Sequence, residues 1–401
     1  MASALAYRDF RRLWASSLAS WASQWIQQAS LGWVVYEITG SGALLGAVLG
    51  ARAIPMLLLT PLSGVAADRW DRRRLMQASQ ALACAVSLAF GTALAAGAVG
   101  TWMLFAFTIV MGASNVMDRP ARMSTAFELV PREVAMKAVA LNTVGFSMMR
   151  IAGPAVAGYL IAAFGAAGSF FVQGVLYGAS ALMVLAVVFP PRKSKPDGAS
   201  AMAEMLEGLR FAIRDRRTRL LLALGALPFL LLVPVWGTLM PIYAKDVFVA
   251  GPQGLGLLLT AVGVGGTLGG FAANALARVE RQALVQAAWV LVMAAAIVGL
   301  AASPSLAWAL VFTGIGGAAE MAHWASNAAV LQMSAPEAMR GRISSLLMLN
   351  PGLISVGALL AGPLADLLGV RGASLALAAT ATAAVLLLYF LSPALREMKL
   401  R

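Results

Sequence analysis

The stretch GVAADRWDRRR, residues 64–74, determines how we arrange the rest of the chain. Roughly two dozen mostly apolar residues precede it and a similar number follow, and about 20 apolar residues suffice for a membrane-spanning helix. Gly64 permits the close approach of another helix, and Asp68 stands at the end of the first apolar run. Four arginines complete the stretch: Arg69, Arg72, Arg73 and Arg74. Because basic loops stay on the cytoplasmic side of a membrane, the sequence predicts a charged cytoplasmic hinge between two spanning helices.

The composition places the chain in a membrane. Of its 401 residues, 60% are hydrophobic and 12% are charged, whereas about a quarter of the residues in soluble domains carry charge. A single cysteine, Cys84, and a single histidine, His323, exclude a disulfide framework and a Cys/His metal cluster. No glycine-rich phosphate loop is present. We therefore predict an all-α integral membrane protein with no metal and no cofactor.

The positions of the basic residues fix the number of helices. We predict twelve membrane-spanning helices, called spans 1 to 12, at residues 13–38, 43–67, 74–97, 101–120, 138–164, 168–190, 218–244, 253–277, 282–302, 305–333, 342–368 and 372–392. With both termini in the cytoplasm, 26 of the 30 Lys and Arg residues fall on the inner side. Only Lys245 and Arg371 fall outside, and Arg52 and Arg150 fall within helices. The net charge of +13 is thus explained by membrane topology, and we predict no nucleic-acid partner.

The two halves of the chain repeat each other. A shift of 204 residues places Gly153 and Gly158 of span 5, and Gly165 of the turn after it, on Gly357, Gly362 and Gly369. A shift of 206 places Gly64, Asp68 and Arg72 on Gly270, Asn274 and Arg278. We predict two pseudo-symmetric six-helix bundles at residues 1–190 and 218–401, joined by a cytoplasmic linker at 191–217. An amphipathic helix in the linker carries Met205, Leu206, Leu209 and Ile213 on one side and would lie on the membrane surface or bind a partner.

Polar side chains within the spans are candidates for a transport cavity. Span 1 presents one polar face, formed by Ser17, Ser20, Gln24, Gln27 and Gln28. Such a face either lines a watery cavity or bonds to other helices. An arginine inside a span costs about 2.5 to 3.5 kcal/mol, so Arg52 and Arg150 should meet a carboxylate, an amide or an anionic substrate group. The cavity candidates are Gln24, Gln28, Arg52, Asn115, Arg150, Trp236, Glu320, His323 and Asn327.

One helical face of span 10 is a candidate for proton coupling. It carries Glu320, His323 and Asn327. A buried carboxylate or imidazole can exchange a proton near neutral pH. Asp118, at the inner end of span 4, is a second candidate. The alternative is that these side chains only pair with a neighbouring helix.

Several segments resemble the major facilitator superfamily of secondary transporters. The hinge spacing G-x-x-x-D-R-x-x-R-R is similar to its loop between helices 2 and 3. FRRLW at residues 10–14, SQWIQQASLGWVVYEITGS at 23–41, NVMDRPAR at 115–122 and APEAMRGRISSL at 335–346 resemble the branch of enterobactin exporter-like and macrolide-efflux-like permeases. The resemblance implies a twelve-helix fold, alternating access, and outward movement of a small molecule driven by protons.

The resemblance also implies roles for individual residues. Gly64, Asp68, Arg69 and Arg72 would form a cytoplasmic gate, with partners at the end of span 4: Asp118, Arg119 and Arg122. The segment MMRIAGPAVAGYL resembles, incompletely, a helix 5 motif of antiporters that is associated with export, with Gly153, Pro154 and Gly158 allowing close helix packing. Gln24 and Thr108 stand where many relatives carry an acid and an arginine, so proton coupling would use Glu320, Asp118 or another group, or be absent.

The sequence therefore predicts a transporter rather than an enzyme. We expect a proton-driven exporter of a small amphipathic molecule, drug-like or siderophore-like, acting as a monomer in the bacterial inner membrane. Its partners would be the substrate, protons and the lipid bilayer. An importer or a lysophospholipid transporter of the same fold is the alternative. A membrane-embedded enzyme would need clustered acid, base or metal-binding groups, which the sequence does not provide.

Overall fold

The computed structural model describes residues 3–189, 201–276, 279, 281–347 and 350–393, with residues 61, 64–69, 201–206, 338, 340, 344, 345 and 351 described by their backbone alone. All regular elements in these ranges are helical. The α-helices are α1 Arg8–Thr39, α2 Gly42–Gly50, α3 Ala53–Arg69, α4 Arg72–Ala95, α5 Thr101–Glu128, α6 Arg132–Leu185, α7 Ala201–Arg214, α8 Arg216–Leu231, α9 Met240–Ile242, α10 Gly251–Leu276, α11 Gln282–Ala302, α12 Leu306–Ser334, α13 Arg340–Leu347 and α14 Asn350–Leu391. The predicted all-α membrane fold is confirmed.

Two of these helices each contain two predicted spans. Gly165 interrupts α6 with φ 71° and ψ 173°, and Gly369 interrupts α14 with φ 70° and ψ 160°. Only glycine adopts this combination of angles without strain. The chain therefore turns at the two positions where the sequence separates spans 5 and 6 and spans 11 and 12.

The long helices fall into two groups by their hydropathy. In the described ranges, seven helical segments are long and apolar enough to cross a membrane, and α6 and α14 are among them. Three more helices, α1, α5 and α12, have 32, 28 and 29 residues but fall short in hydropathy. These three helices contain predicted spans 1, 4 and 10, which carry most of the polar cavity candidates. Together the two groups account for the twelve predicted spans.

Span 2 is not the continuous helix that the sequence predicts. Two turn residues, Ala51 and Arg52, separate α2 from α3. Pro55, in the first turn of α3, has no N–H for the carbonyl of Ala51, and its ring crowds that carbonyl. Arg52 therefore lies at a break in the helix.

The chain divides into two compact units. The first comprises Met1–Val34 and Ile54–Ala201, and the second comprises Val35–Ala53 and Met202–Arg401. The second unit thus includes the end of α1 and the whole of α2. The predicted bundle boundaries at residues 190 and 218 stay a prediction, and residues 191–200 of the predicted linker lie outside the described ranges.

Each unit has a buried apolar core. In the first unit, the helices that contain spans 1, 3, 4 and 5, namely α1, α4, α5 and α6, contribute Phe10, Leu13, Leu75, Met76, Ala121, Ala126, Val134 and Ala138. In the second unit, their counterparts six spans later contribute Leu221, Ala283, Val330, Leu331, Ile343 and Leu347. The two cores therefore draw on helices at corresponding positions in the two halves of the sequence.

The amphipathic helix of the linker, α7, packs on the second unit. A Cβ added at Gly208 would lie 2.8 Å from the carbonyl oxygen of Arg342, and the Arg342 guanidinium lies 2.6 Å from the Glu207 carboxylate. Leu209 and Ile213 lie on the exposed side of the helix. The side chains of the other two predicted apolar residues, Met205 and Leu206, lie outside the described residues.

Candidate transport site

The nine cavity candidates divide by their exposure. Six are partly exposed: Gln24, Gln28, Arg52, Asn115, Arg150 and Glu320. Three are buried: Trp236, His323 and Asn327. The partly exposed group contains the polar side chains that the protein does not fully enclose.

The predicted polar face of α1 is really two faces. Ser20 and Gln27 are buried inside the first unit. Ser20 Oγ accepts a hydrogen bond from Gln80 at 3.2 Å, and Gln27 Oε1 accepts one from Tyr177 at 3.1 Å. Ser20 and Gln27 therefore join α1 to neighbouring helices, whereas Gln24 and Gln28 are partly exposed.

An aromatic corner forms where α1 contacts α6. Trp21 and Trp25 lie one turn apart, and Phe146 meets both edge-on at ring-centroid distances of 5.8 and 5.7 Å. One turn after Phe146, the Arg150 guanidinium carbon lies 5.7 Å from the centroid of the Trp25 ring. This distance allows a cation–π interaction. The cost of placing Arg150 in a membrane helix is thus partly offset by an aromatic surface.

The helix packing motif brings α6 close to α1. A Cβ added at Gly153 would lie 2.4 Å from the Trp25 Cβ. Pro154 and Gly158 are buried in the same stretch of α6. In the second unit, a Cβ added at Gly357 would lie 2.1 Å from the carbonyl oxygen of Leu230 in α8. The close contact of span 5 with span 1 is therefore repeated between spans 11 and 7.

Asp118 and Arg122 form a buried ion pair in α5. Arg122 Nε and Nη2 donate to the two carboxylate oxygens of Asp118 at 2.8 and 3.1 Å. Arg122 Nη1 also donates to the hydroxyls of Ser16 and Ser17 in α1, at 3.0 and 3.2 Å. Both residues are at most 5% exposed. The pair ties the end of span 4 to span 1, and Arg119, the next residue after Asp118, is not part of it.

His323 and Asn327 of α12 bond to neighbouring helices. Asn327 Nδ2 donates to Gln286 Oε1 in α11 and to the Leu221 carbonyl in α8, both at 3.0 Å. His323 Nδ1 lies 3.2 Å from the Gln286 carbonyl oxygen. Glu320, one turn earlier, is partly exposed. The predicted titrating face of span 10 thus has a buried part and an accessible part.

Trp236 lies in a π-helical segment, Val235–Leu239, that continues span 7 after α8. Pro234 precedes the segment and provides no N–H for the carbonyl of Leu230, which favours the change of helix type. The Trp236 ring packs against Gly316 of α12, where an added Cβ would lie 2.4 Å from a ring carbon. Its indole N–H has no hydrogen-bond partner among the described residues.

The charged hinge is described only in part. Gly64, Asp68 and Arg69 are described by their backbone alone. Arg72 Nη1 lies 2.7 Å from Glu128 Oε2, which joins the start of α4 to the end of α5. The sequence did not predict this pair, because Glu128 lies beyond the predicted end of span 4.

The second unit contains a polar cluster that the sequence did not predict. Asp366 of α14 accepts hydrogen bonds from the backbone N–H groups of Gly42 and Ala43 and from the Ser41 hydroxyl. Nearby in sequence, Tyr36 donates a hydrogen bond to Asp246. The sequence does indicate a helix N-terminus here, because Ser41 is a typical N-cap residue. An acid from another helix is favoured at such a terminus.

Comparison with known proteins extends over the whole chain. A sequence model of the family described as transmembrane secretion effector matches residues 2–400. The multidrug efflux pump Tap of Mycobacterium tuberculosis is 29% identical, over 98% of this chain and 94% of its own. The staphyloferrin A transporter of Staphylococcus aureus is 22% identical over 96% of each chain.

A solved structure shows the same fold. It is a bacterial homologue of the human lysosomal transporter Spinster, in an inward-facing and unoccupied conformation. It matches with a TM-score of 0.80 over 100% of this chain and 99% of its own, at 14% sequence identity. At that identity the likeness concerns the fold alone. Together with the family match over nearly every residue, it shows that the chain belongs to the transmembrane secretion effector family of the major facilitator superfamily and is a membrane transporter.

Proposed function

We propose that this transporter exports a small amphipathic molecule by alternating access, with proton influx as the driving force. One observation carries the proposal: polar side chains of membrane helices remain partly exposed, namely Gln24, Gln28, Asn115, Arg150 and Glu320. Amides and charges at this depth are costly unless they meet a polar partner or water. They suit a watery cavity, and the efflux activity named for the Tap relatives supports the outward direction.

Glu320 is the better of the two candidates for carrying the proton. Asp118 is bound by two hydrogen bonds to Arg122, and protonation would leave the arginine charge buried without its partner. Glu320 lies on the same helix face as His323 but is more accessible than the imidazole. A carboxylate that takes up and releases protons during transport needs this access.

The same proposal assigns the cytoplasmic gate to the hinge and to the end of span 4. The residues are Gly64, Asp68, Arg69, Arg72, Arg119 and Arg122. Arg122 would act on the gate by fixing α5 against α1, because its guanidinium is bonded inside the first unit. Both termini would then lie in the cytoplasm and the protein would work as a monomer.

Inverted membrane vesicles test export and coupling together. With an acidic interior, the protein should accumulate a fluorescent amphipathic dye, and dye addition should dissipate part of the pH gradient. Glu320→Gln should abolish the dissipation while dye binding by the purified protein is retained. The matched variant Gln332→Glu, which changes an exposed residue of the same helix, should leave both unchanged. Absence of gradient-dependent accumulation for every dye tested would refute the proposal.

Import through the same fold predicts a different result. Intact cells would accumulate the compound faster with the protein than without it, and inverted vesicles would not. Cysteine labelling at position 70 or 71, in a Cys84→Ser background, would test the orientation. Labelling by a membrane-impermeant reagent in inverted vesicles but not in intact cells is expected for a cytoplasmic hinge.

A further inference from the structure

A stripe of buried polar side chains runs along the side of α1 that faces the interior of the first unit. It is formed by Ser16, Ser20, Ser23, Gln27 and Ser30, each at most 1% exposed. Spacings of three and four residues keep them on one face of the helix. Because a helix rises about 1.5 Å per residue, the stripe is about 20 Å long. A polar stripe of this length inside a predicted span needs hydrogen-bond partners along its whole course.

The first part of the stripe finds its partners in other helices of the same unit. The hydroxyls of Ser16 and Ser180 lie 2.9 Å apart. Ser20 Oγ accepts a hydrogen bond from Gln80 at 3.2 Å, and Ser23 Oγ donates one to the backbone carbonyl of Gln173 at 2.9 Å. These bonds fix the level at which α1 faces α4 and the second part of α6.

The later part of the stripe belongs to a group of buried polar atoms without partners. Gln27 accepts a hydrogen bond from Tyr177 through Oε1, but its Nε2 has no partner among the described residues. The same holds for both ends of the Gln173 amide and for the hydroxyls of Ser30 and Ser87. Gln173 and Ser87 are fully buried. Turning the Gln27 amide over would exchange its donor for its acceptor and would still leave one end unbonded.

Gln27 and Ser87 stand at the same level of α1 and α4. The two helices run in the same direction, since their N-terminal parts share one apolar core. The bond between Ser20 and Gln80 joins them further along, and Gln27 and Ser87 each follow that bond by seven residues. Seven residues advance both helices by about 10 Å. The amide and the hydroxyl therefore lie in the same helix contact.

Gln173 lies on the third side of this contact. Ser23 of α1 donates to its backbone carbonyl. A Cβ added at Gly174, the next residue, would lie 2.6 Å from the side chain of Leu88, which follows Ser87 in α4. This part of α6 thus touches both α1 and α4, and the fully buried amide of Gln173 has these two helices beside it.

We infer that the junction of α1, α4 and α6 is an internal water-binding site, with the side chains of Gln27, Ser30, Ser87 and Gln173 as its ligands. A buried water molecule needs about two to four polar partners. The amides supply N–H donors and a carbonyl acceptor, and the hydroxyls act as either. All four side chains are uncharged, which suits a neutral ligand. The bound water completes the hydrogen bonding of the stripe and joins the three helices. The inference goes beyond transport and depends on neither its substrate nor its direction.

X-ray radiolysis tests for this water in the purified protein. Hydroxyl radicals formed from a bound water molecule oxidise the side chains beside it, and mass spectrometry locates the modified residues. Tyr177 is fully buried and bonded to Gln27. Its control is Tyr243, a fully buried tyrosine of the second unit that is bonded to Ser374. Tyr177 should be modified several times faster than Tyr243. Equal, slow modification of the two tyrosines would overturn the inference.

Matched variants connect the signal to the proposed ligands. Gln173→Met replaces the amide by an apolar side chain of similar length and should bring the Tyr177 rate close to that of Tyr243, because the water loses two polar partners. Gln286→Met removes a fully buried amide from the second unit and should leave the Tyr177 rate unchanged. An equal decrease in both variants would contradict the assignment. If melting curves show that Gln173→Met does not fold, Ser87→Ala decides: a slower Tyr177 rate supports the site, and an unchanged rate refutes it.

A cryo-EM map that resolves ordered water distinguishes a bound water from a direct bond between the two amides. We expect density within about 2.7 to 3.2 Å of the Gln173 amide and of Gln27 Nε2. A rearranged pair in which the two amides bond to each other, with no density between them and Ser87, would overturn the inference. Neither result bears on export, which the vesicle measurements test separately.

Discussion

Asp366 of α14 caps the N-terminus of α2, accepting a hydrogen bond from the backbone N–H of Gly42 at 2.6 Å. The contact continues along a glycine stripe, since a Cβ added at Gly46 would lie 2.3 Å from the carbonyl oxygen of Ala358. Within the second unit, this surface joins a helix from the first half of the sequence to one from the second half. If alternating access moves the two halves of the sequence against each other, this contact opens during each transport cycle.

Asp366→Asn should weaken the docking of α2. The amide has the size of the carboxylate but lacks the charge that a helix N-terminus favours, a loss of about 0.3 to 1 kcal/mol. We expect α2 to separate about two to five times more often. The measurement is the rate of maleimide labelling of Val48→Cys, a fully buried α2 position, in a Cys84→Ser background. Glu37→Gln, an exposed acid that does not cap α2, is the control; equal rates in both variants would contradict the role of the cap.

Gly46→Ala should destabilise the protein through the same contact. The added methyl group meets backbone atoms of α14, which cannot rotate away, and overpacking of this kind costs about 1 to 3 kcal/mol. The melting temperature in detergent should fall by several degrees. Gly270→Ala is the matched control, because nothing lies within 4 Å of the Cβ position there. A similar fall in both variants would indicate that helix contact is not the cause.

Most of the fold could be predicted from the sequence because a bilayer constrains it so strongly. Apolar length and the positions of basic residues separate the twelve spans. Even the turns at Gly165 and Gly369 could be placed, since the two halves repeat at these glycines. The break at Arg52 was missed, although Pro55 predicts it, because hydropathy stays high across the break.

The candidate site could be predicted less well, because helical periodicity does not tell which polar face meets another helix. Ser20 and Gln27 shared a predicted face with Gln24, yet they bond to α4 and α6. The corner of Trp25 and Arg150 depends on two helices more than 100 residues apart in the sequence, and no local pattern shows that they touch. The sequence indicated the polar residues, and the contacts show which of them are used in packing.

The ion pair of Asp118 and Arg122 should be structural rather than proton-carrying. Arg122→Gln leaves a buried carboxylate without its partner, which costs about 3 to 5 kcal/mol, and Asp118→Asn leaves the guanidinium in the same position. The double variant should recover most of this loss. The free energy of unfolding in mixed micelles, measured by titration with SDS, checks the cycle. Arg72→Gln, which breaks the more exposed pair with Glu128, should lower the free energy of unfolding by about 1 kcal/mol or less. Equal losses for the buried and the exposed pair would argue against a structural role of the buried pair.

Gly165→Ala and Gly369→Ala should have equal and independent effects. Both glycines have φ near 70° with an extended ψ, where a side chain costs about 1 to 3 kcal/mol. Each turn belongs to its own unit, so the double variant should show the sum of the single effects. The free energy of unfolding measures this, with Gly341→Ala, an exposed helical position with nothing within 4 Å of an added Cβ, as control. A large effect at one glycine and none at the other would mean that the two halves share the glycine pattern but not the backbone turn. The internal repeat would then not extend to the local backbone geometry.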